Sequence, residues 1–146
     1  MSDGNPVLRP FHLAFPVHDL GAARQFYVGL LGCSEGRSSE SWIDFSLYGH
    51  QIVAHHDPAM ESGNGGTNAV DGDAVPVFHF GVILKRADWD RLVQRLDAAG
   101  IEYLIRPRLR FAGQAGEQGT FFITDPSGNG LEFKCFADDR RIFATD

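Results

Sequence analysis

Three side chains far apart along the chain, His12, His79 and Glu132, are of the types that could together hold one divalent cation. Two imidazoles and one carboxylate form the 2-His-1-carboxylate set, which binds Fe(II) and leaves coordination positions open. His12 lies in Phe11-His12-Leu13-Ala14-Phe15-Pro16-Val17 and His79 in Phe78-His79-Phe80-Gly81-Val82-Ile83-Leu84, and both stretches alternate as strands do. Successive strand side chains point to opposite faces. Phe11, Leu13 and Phe15 therefore form one packing side, and Phe78, Phe80 and Val82 the other. His12 with Ala14, and His79 with Gly81, face the opposite way, where the small neighbours leave room for a ligand. In Leu131-Glu132-Phe133-Lys134-Cys135 the same rule turns Glu132 inward. A carboxylate is rare in a strand and costly to bury alone, so it needs a cation. Taken singly, each histidine also reads as a hydrogen-bonded core or rim residue, and Glu132 as one half of a buried ion pair with Arg110 or Lys134.

The elements that must position these groups form a repeat. After the first strand, Asp19 caps a helical stretch whose apolar face is Leu20, Ala23, Phe26, Tyr27, Leu30 and Leu31, and Gly32 ends it. Strands follow at Ser41 to Leu47 and Gln51 to His56, joined by the turn Tyr48-Gly49-His50, with a short strand before them around Ser34 to Ser38. The second half replays this order. Its first strand leads to a helix capped by Asp88, carrying Leu92, Val93, Leu96 and Ala99 and stopped by Gly100. Strands at Ile101 to Ile105, Thr120 to Thr124 and Gly130 to Phe136 close the unit, the last two separated by the turn Asp125-Pro126-Ser127-Gly128-Asn129. Between the copies, Ala59 to Ala74 is rich in Gly, Asn and Asp and reads as a flexible connection, or as a loop covering a site. A βαβββ unit repeated twice predicts one α+β domain over residues 1–146: repeat one about 9–57, a linker about 58–75, repeat two about 76–137 and a tail over 138–146. Two curled, mixed or antiparallel sheets form a cup with the helices outside.

Composition narrows the classes of function. With 146 residues, 43% of them hydrophobic and 22% charged, the chain suits one soluble globular domain. No apolar run is long enough to span a bilayer, and Met-Ser-Asp-Gly-Asn-Pro lacks the features of a secretory signal, so a cytoplasmic location is expected. A net charge of −6 argues against nucleic acid and anionic membranes as partners. Cys33 and Cys135 lack the spacing of a redox or zinc motif and read as two reduced thiols.

The segments "FHLAFPVHDLGAARQFYVGLLG", "HFGV" and "DPSGNGLEFK" resemble the vicinal oxygen chelate superfamily of glyoxalases, bleomycin and fosfomycin resistance proteins and extradiol dioxygenases, from about Arg9 to Ala137. Within it, "WIDFSLYGHQIVAH", "NAVDGDAVPVFHFGV" and "RFAGQAGEQGTFFITDPSGNGLEFK" are similar to a bacterial single-domain group described as extradiol-type dioxygenases. The resemblance implies metal ligands on the first and last strands of each repeat, and His12, His79 and Glu132 match three of these positions. The fourth, a glutamate in glyoxalase I, falls on Val53, which disfavours glyoxalase chemistry; Gln51 or His55 could serve as an extra ligand in a slipped register.

The reaction implied is dioxygen cleavage of a catechol-like or other vicinal-oxygen substrate at one divalent ion, Fe(II) first, with Mn(II), Zn(II) or Ni(II) as alternatives. Such chemistry needs an acid or base beside the metal, and His55, then His50, are the candidates. Arg110 could clamp a substrate carboxylate, or pair with Glu117 in a solvated loop; Gln118, Gln51, Trp42 and Phe122 are further substrate-binding candidates, with Phe121 either lining the pocket or in the core. A glyoxalase-like isomerase, lyase or thiol transferase on the same metal is the second reading, and a metal-free antibiotic-sequestering protein the third. The expected partners are a small molecule, O2 and a second copy of the chain, since in this superfamily the cup forms within one chain or from repeats exchanged between two.

Overall fold

The structure is a computed structural model describing residues 7–60, 67–70 and 72–145. Repeat one runs β1 (His12–Val17), α1 (Leu20–Arg24) continuing into a π-helical turn over Gln25–Leu30, β2 (Ser34–Ser38), β3 (Trp42–Leu47) and β4 (His50–His56). A hairpin of β5 (Thr67–Val70) and β6 (Asp73–Pro76) follows. Repeat two runs β7 (His79–Phe80), β8 (Ile83–Leu84), α2 (Arg86–Ala98), β9 (Ile105–Arg110), β10 (Gln118–Thr124) and β11 (Gly130–Phe136). No helix among the described residues is long and apolar enough to cross a membrane.

The two repeats build two corresponding sheets. In the first the order is β1-β4-β3-β2, and in the second β7-β11-β10-β9, with β8 also on β11. Each opening strand thus lies parallel to the last strand of its own repeat: His12 opposite Gln51, and His79 opposite Gly130. Pro16 and Pro107 sit on the outer strands β1 and β9, where a missing N–H costs no ladder bond. Strands β3 and β4 meet in a two-residue hairpin, Tyr48 and Gly49, both at positive φ (51° and 90°), so His50 is the first residue of β4 rather than part of the turn.

Local chemistry explains the helices. The Asp19 carboxylate accepts from the Ala22 N–H at 2.9 Å and caps α1 as the sequence predicts. Past Arg24 the helix widens, the Leu31 N–H reaching back to the Phe26 carbonyl at 3.0 Å, and Ala23, Tyr27 and Leu31 are buried. Helix α2 departs from expectation at its start. It begins at Arg86 after Lys85, which makes no side-chain cap bond, and Asp88 sits inside the first turn, paired with Arg91. There a carboxylate still complements the helix dipole.

Three further differences follow from local physics. The anticipated linker holds the β5–β6 hairpin, and its 61–66 and Asp71 lie outside the described residues. The expected strand over 101–105 instead occupies Ile105–Arg110, an edge position that tolerates the charged run Arg106-Pro107-Arg108. The strand through Phe78 to Leu84 is split at Gly81-Val82. A Cβ on Gly81 would lie 1.6 Å from the Glu132 carbonyl oxygen, so this glycine serves a close backbone crossing of β11 and not, as its small size suggested, free space for a ligand.

Both helices lie on the packing face of their own sheet, and these faces merge into one core: Phe15, Tyr27, Phe45 and Ile52 from repeat one join Trp89, Leu96, Phe121 and Phe133 from repeat two. Phe15 touches Phe80 across the repeats at 5.1 Å between ring centroids. The Trp89 indole N–H donates to the Phe133 carbonyl at 2.9 Å, and Cys33 and Cys135 are buried free thiols, burial pushing Cys33 up to about 12.

At the centre of the join is the 125–129 turn. Asp125, 4% exposed, accepts from the Ser127 and Asn129 N–H groups on one oxygen and from the Tyr27 hydroxyl and Asn129 side-chain amide on the other, all at 2.8–2.9 Å. Asn129 also donates to the Pro16 carbonyl, and the His18 N–H to the Ser127 hydroxyl. Burial, then the neighbouring carboxylate, push the Tyr27 hydroxyl well above its usual range, so it stays a donor. Asp125→Ala leaves these buried donors unmatched and is expected to cost about 3 kcal/mol or more in urea unfolding. A loss below about 1 kcal/mol would remove the turn from its role as the joint between repeats.

Candidate metal centre

The shared core consumes one face of each sheet, and the ligand candidates stand on the other. On the second sheet the open face carries His79 from β7, Thr120 and Phe122 from β10, Glu132 and Lys134 from β11, and Arg108 and Arg110 from β9, around a hollow of about 140 Å³. His79 and Glu132 meet there, with Nε2 3.3 Å from Oε1 and side chains 29% and 15% exposed. The Phe122 ring stands edge-on to the imidazole, centroids 5.1 Å apart.

Hydrogen bonds set the state of both groups. His79 Nδ1 lies 2.7 Å from the Pro76 carbonyl, which can only accept, so Nδ1 carries a proton and Nε2 is the nitrogen turned to Glu132. The second Glu132 oxygen accepts from the Thr120 hydroxyl at 2.5 Å. Between Nε2 and Oε1 there is place for one proton, as in an imidazolium–carboxylate pair, or for one cation. Ligand atoms each about 2.1 Å from a common divalent ion stand roughly 3.0–3.4 Å apart at angles of about 90–110°, which the observed 3.3 Å separation matches. An imidazole whose other nitrogen is held by a carbonyl, beside a carboxylate held by a hydroxyl, has the outer partners that metal-binding side chains use. His79 and Glu132 supply two of the donors a divalent ion needs.

His12 is elsewhere. It is exposed on the open face of the first sheet, in a separate hollow of about 550 Å³ shared with Arg9, Arg37, Asp44, His50 and Gln51. Among the described residues no three His, Cys, Asp or Glu side chains are grouped to hold one ion, so the three ligand candidates do not meet within a single chain. Yet His12 is prepared in the same way as His79. Its Nδ1 stands 2.7 Å from the Gln51 side-chain oxygen, an acceptor, which leaves Nε2 as the nitrogen without a protein partner in this contact. Gln51 therefore orients His12.

The remaining candidates divide by face. Reading across the first sheet, His12, Gln51 and Ser46 form one open-face row, Ala14, Val53 and Asp44 the next, and Pro16, His55 and Trp42 a third. His55 is exposed beside Trp42, over which the Arg37 guanidinium lies 6.0 Å from the ring centroid. The observed register leaves the apolar Val53 where the fourth ligand was sought. His50 accepts the Phe11 N–H at Nδ1, 2.9 Å, which pins the start of β1. Gln118 pairs in register with Arg110 and lines a neighbouring hollow with Phe111, Lys134 and Phe136, whereas Phe121 is wholly buried in the core. The Glu117 carboxylate accepts from the Gly113 N–H.

Thr120, the Pro76 carbonyl and Asp44 escaped the sequence reading. Alternation along Thr120-Phe121-Phe122 and Trp42-Ile43-Asp44 would have turned Thr120 and Asp44 to the open faces, but the Pro76 contact depends on the unforeseen hairpin.

The geometry has relatives. The model for the Glyoxalase/Bleomycin resistance protein/Dioxygenase superfamily matches residues 9–133. A solved structure described as a glyoxalase/bleomycin resistance protein/dioxygenase from Alicyclobacillus acidocaldarius is 33% identical, with 92% of this chain and 96% of that one covered and a TM-score of 0.76. A genomically encoded fosfomycin resistance protein from Listeria monocytogenes (18% identity, 94% and 100% covered, TM-score 0.63) shares the fold. So does a lactoylglutathione lyase from Agrobacterium tumefaciens (20% identity, 90% and 96% covered, TM-score 0.63). No curated protein matches the chain.

The tautomers are open to direct measurement. Long-range ¹H–¹⁵N spectra at pH 8 on metal-free protein are expected to show His12 and His79 both protonated at Nδ1, and Gln51→Leu to release His12 into a tautomer mixture while leaving His79 unchanged. Protonation of either wild-type ring at Nε2 would contradict the geometry.

Proposed function

This chain belongs to the Glyoxalase/Bleomycin resistance protein/Dioxygenase superfamily, and we propose that within it the protein is a cytosolic, homodimeric, metal-dependent enzyme, an extradiol-type dioxygenase acting on a catechol-like or other vicinal-oxygen substrate. The observation that carries this reading is the facing pair of His79 Nε2 and Glu132 Oε1, 3.3 Å apart, each held from behind by Pro76 and Thr120. A third ligand of the same preparation, His12, belongs to the other open face. A second copy of the chain supplies it: His12 of one copy joins His79 and Glu132 of the other, and two such centres form per dimer.

Several features support this assembly. The hollow around Glu132 is smaller than a typical small-molecule site of about 300–1,000 Å³, as a half-site would be. Strand β1 closes one edge of its sheet, β7 and β8 one edge of theirs, and the exposed apolar side chains Phe11, Val77, Phe78 and Ile83 lie along these edges. Joining β1 of one copy to the β7–β8 edge of the other covers them and brings the two open faces into one cup.

Two imidazoles and a carboxylate select Fe(II) and leave about three positions open, enough for two adjacent substrate oxygens and dioxygen. Bound there, the ion supplies Lewis-acid and redox chemistry to both reactants. The chain's own groups do the rest. His55 is exposed on the face that carries His12 and takes the substrate proton; Trp42 and Phe122 form apolar walls that orient a ring; Arg110 and Gln118 sit at the far end of the second sheet's open face. Val53 in the fourth ligand position favours a centre with open positions over the four-ligand glyoxalase type.

Protein purified without oxygen is expected to hold close to one iron per chain and to take up oxygen when catechols are added. His79→Ala and Glu132→Ala should each weaken metal binding more than about 100-fold, and Thr120→Val about tenfold, with unchanged circular dichroism. Nickel or zinc without oxygen uptake would replace the oxygenase by an isomerase, and wild-type metal affinity in Glu132→Ala would end the metal reading.

A further inference from the structure

The face that holds His79 and Glu132 is cationic at its far end, in a chain whose net charge is −6. Cross-strand register places Lys134 opposite Thr120, and Thr120 opposite Arg108, in one row; the row beyond carries Phe136, Gln118 and Arg110. Lys134 therefore stands two residues, roughly 7 Å, along its strand from Glu132, and Arg108 stands three residues beyond Ile105, the residue level with Phe122, across a bulge in β9. Lys134, Arg108 and Arg110 all line the same hollow as Glu132. None of the three is needed to fold the core, because their strand positions alternate away from it.

Their surroundings fix them. The Asp73 carboxylate of β6 pairs with the Arg108 guanidinium, anchoring it at the wall of the hollow. The Lys134 ammonium lies over the Phe136 ring, 5.6 Å from its centroid, and the Arg110 guanidinium over the Phe111 ring at 5.7 Å. The Phe136 face supports the Lys134 side chain at the wall of the hollow. Ordered cationic donors at one end of a partly enclosed, apolar-walled hollow recognise an oxyanion, and a planar guanidinium beside an ammonium suits a carboxylate.

We infer that the substrate carries a carboxylate in addition to its vicinal oxygens, and that Lys134, with Arg108 and Arg110, is the specificity-determining subsite that receives it. This rests on the placement of the vicinal oxygens at His79 and Glu132 proposed above and specifies the substrate class: a dihydroxybenzoate-like acid, not a neutral catechol.

Two sets of titrations separate this inference from the metal reading. In calorimetry on dimeric, Zn(II)-loaded protein, 3,4-dihydroxybenzoate is expected to bind about 10–100-fold more tightly than catechol, the range a charge-assisted pair provides. Lys134→Met should bring that ratio below about threefold, with zinc stoichiometry unchanged. In metal-free protein, benzoate should bind more tightly than benzyl alcohol, and Lys134→Met should abolish the difference. Equal affinity for the acid and the neutral diol, or a preference that survives in both Lys134→Met and Arg110→Met, would overturn the subsite. Loss of zinc binding in the wild type, with the benzoate preference retained, would instead remove the metal reading and leave the subsite standing.

Discussion

A buried carboxylate with four donors around it organises this molecule. Asp125 takes hydrogen bonds from its own turn and from Tyr27, while the same turn reaches Pro16 and His18 through Asn129 and Ser127. These contacts join the end of β1 and the first helix of one repeat to the β10–β11 turn of the other. Once they are made, the two sheets must spend the same kind of face, the one bearing Phe15, Phe45, Phe121 and Phe133, on a common core. Their other faces are then committed to the outside of the core, with His12 on one and His79 and Glu132 on the other. The separation of His12 from His79 and Glu132 is a consequence of that joint.

The candidate ligands are oriented by the protein itself. His12 and His79 each give their Nδ1 proton to an oxygen acceptor, one the Gln51 side chain and the other the Pro76 carbonyl. Different acceptors, one from the neighbouring strand and one from the preceding hairpin, reach the same result: a ring oriented through Nδ1, with Nε2 turned away from that contact. Glu132 is held by Thr120 across one strand pair, and Gly81 lets the backbone cross close to the Glu132 carbonyl so that β7, β8 and β11 remain in one sheet. Such groups are costly to orient and desolvate unless something uses them.

Much of this was legible in the residues. Alternation placed His12 beside Ala14 and Glu132 between Leu131 and Phe133 on the correct faces, because one face of each strand is buried and a slip of one residue would bury the polar set. Asp19 announced its helix through the cap it makes at Ala22. The misses have equally local causes. The β5–β6 hairpin, with Gly72 at positive φ before β6, lies in a polar Gly-rich stretch without the bulky alternation that marks a strand. Edge strand β9, with Arg106, Pro107 and Arg108, lacks an apolar pattern because little of it is buried. Asp88 has the residue type of a cap, but the helix begins two residues earlier and uses it in the first turn. The pairing of the repeats was not readable at all. Which faces two sheets share is decided by contacts such as Tyr27 with Asp125, 98 positions apart, and no local pattern encodes them.

A subunit-mixing experiment decides whether the ligands meet between copies. His12→Ala and His79→Ala proteins, each unable to hold metal alone, are unfolded together, refolded and titrated with Zn(II). Sharing between copies gives every mixed dimer one centre with all three ligands intact, so random mixing should restore about a quarter of the wild-type zinc. Zinc that stays absent after mixing, while the mixed dimers are shown to form, would contradict a centre built from His12 of one copy with His79 and Glu132 of the other.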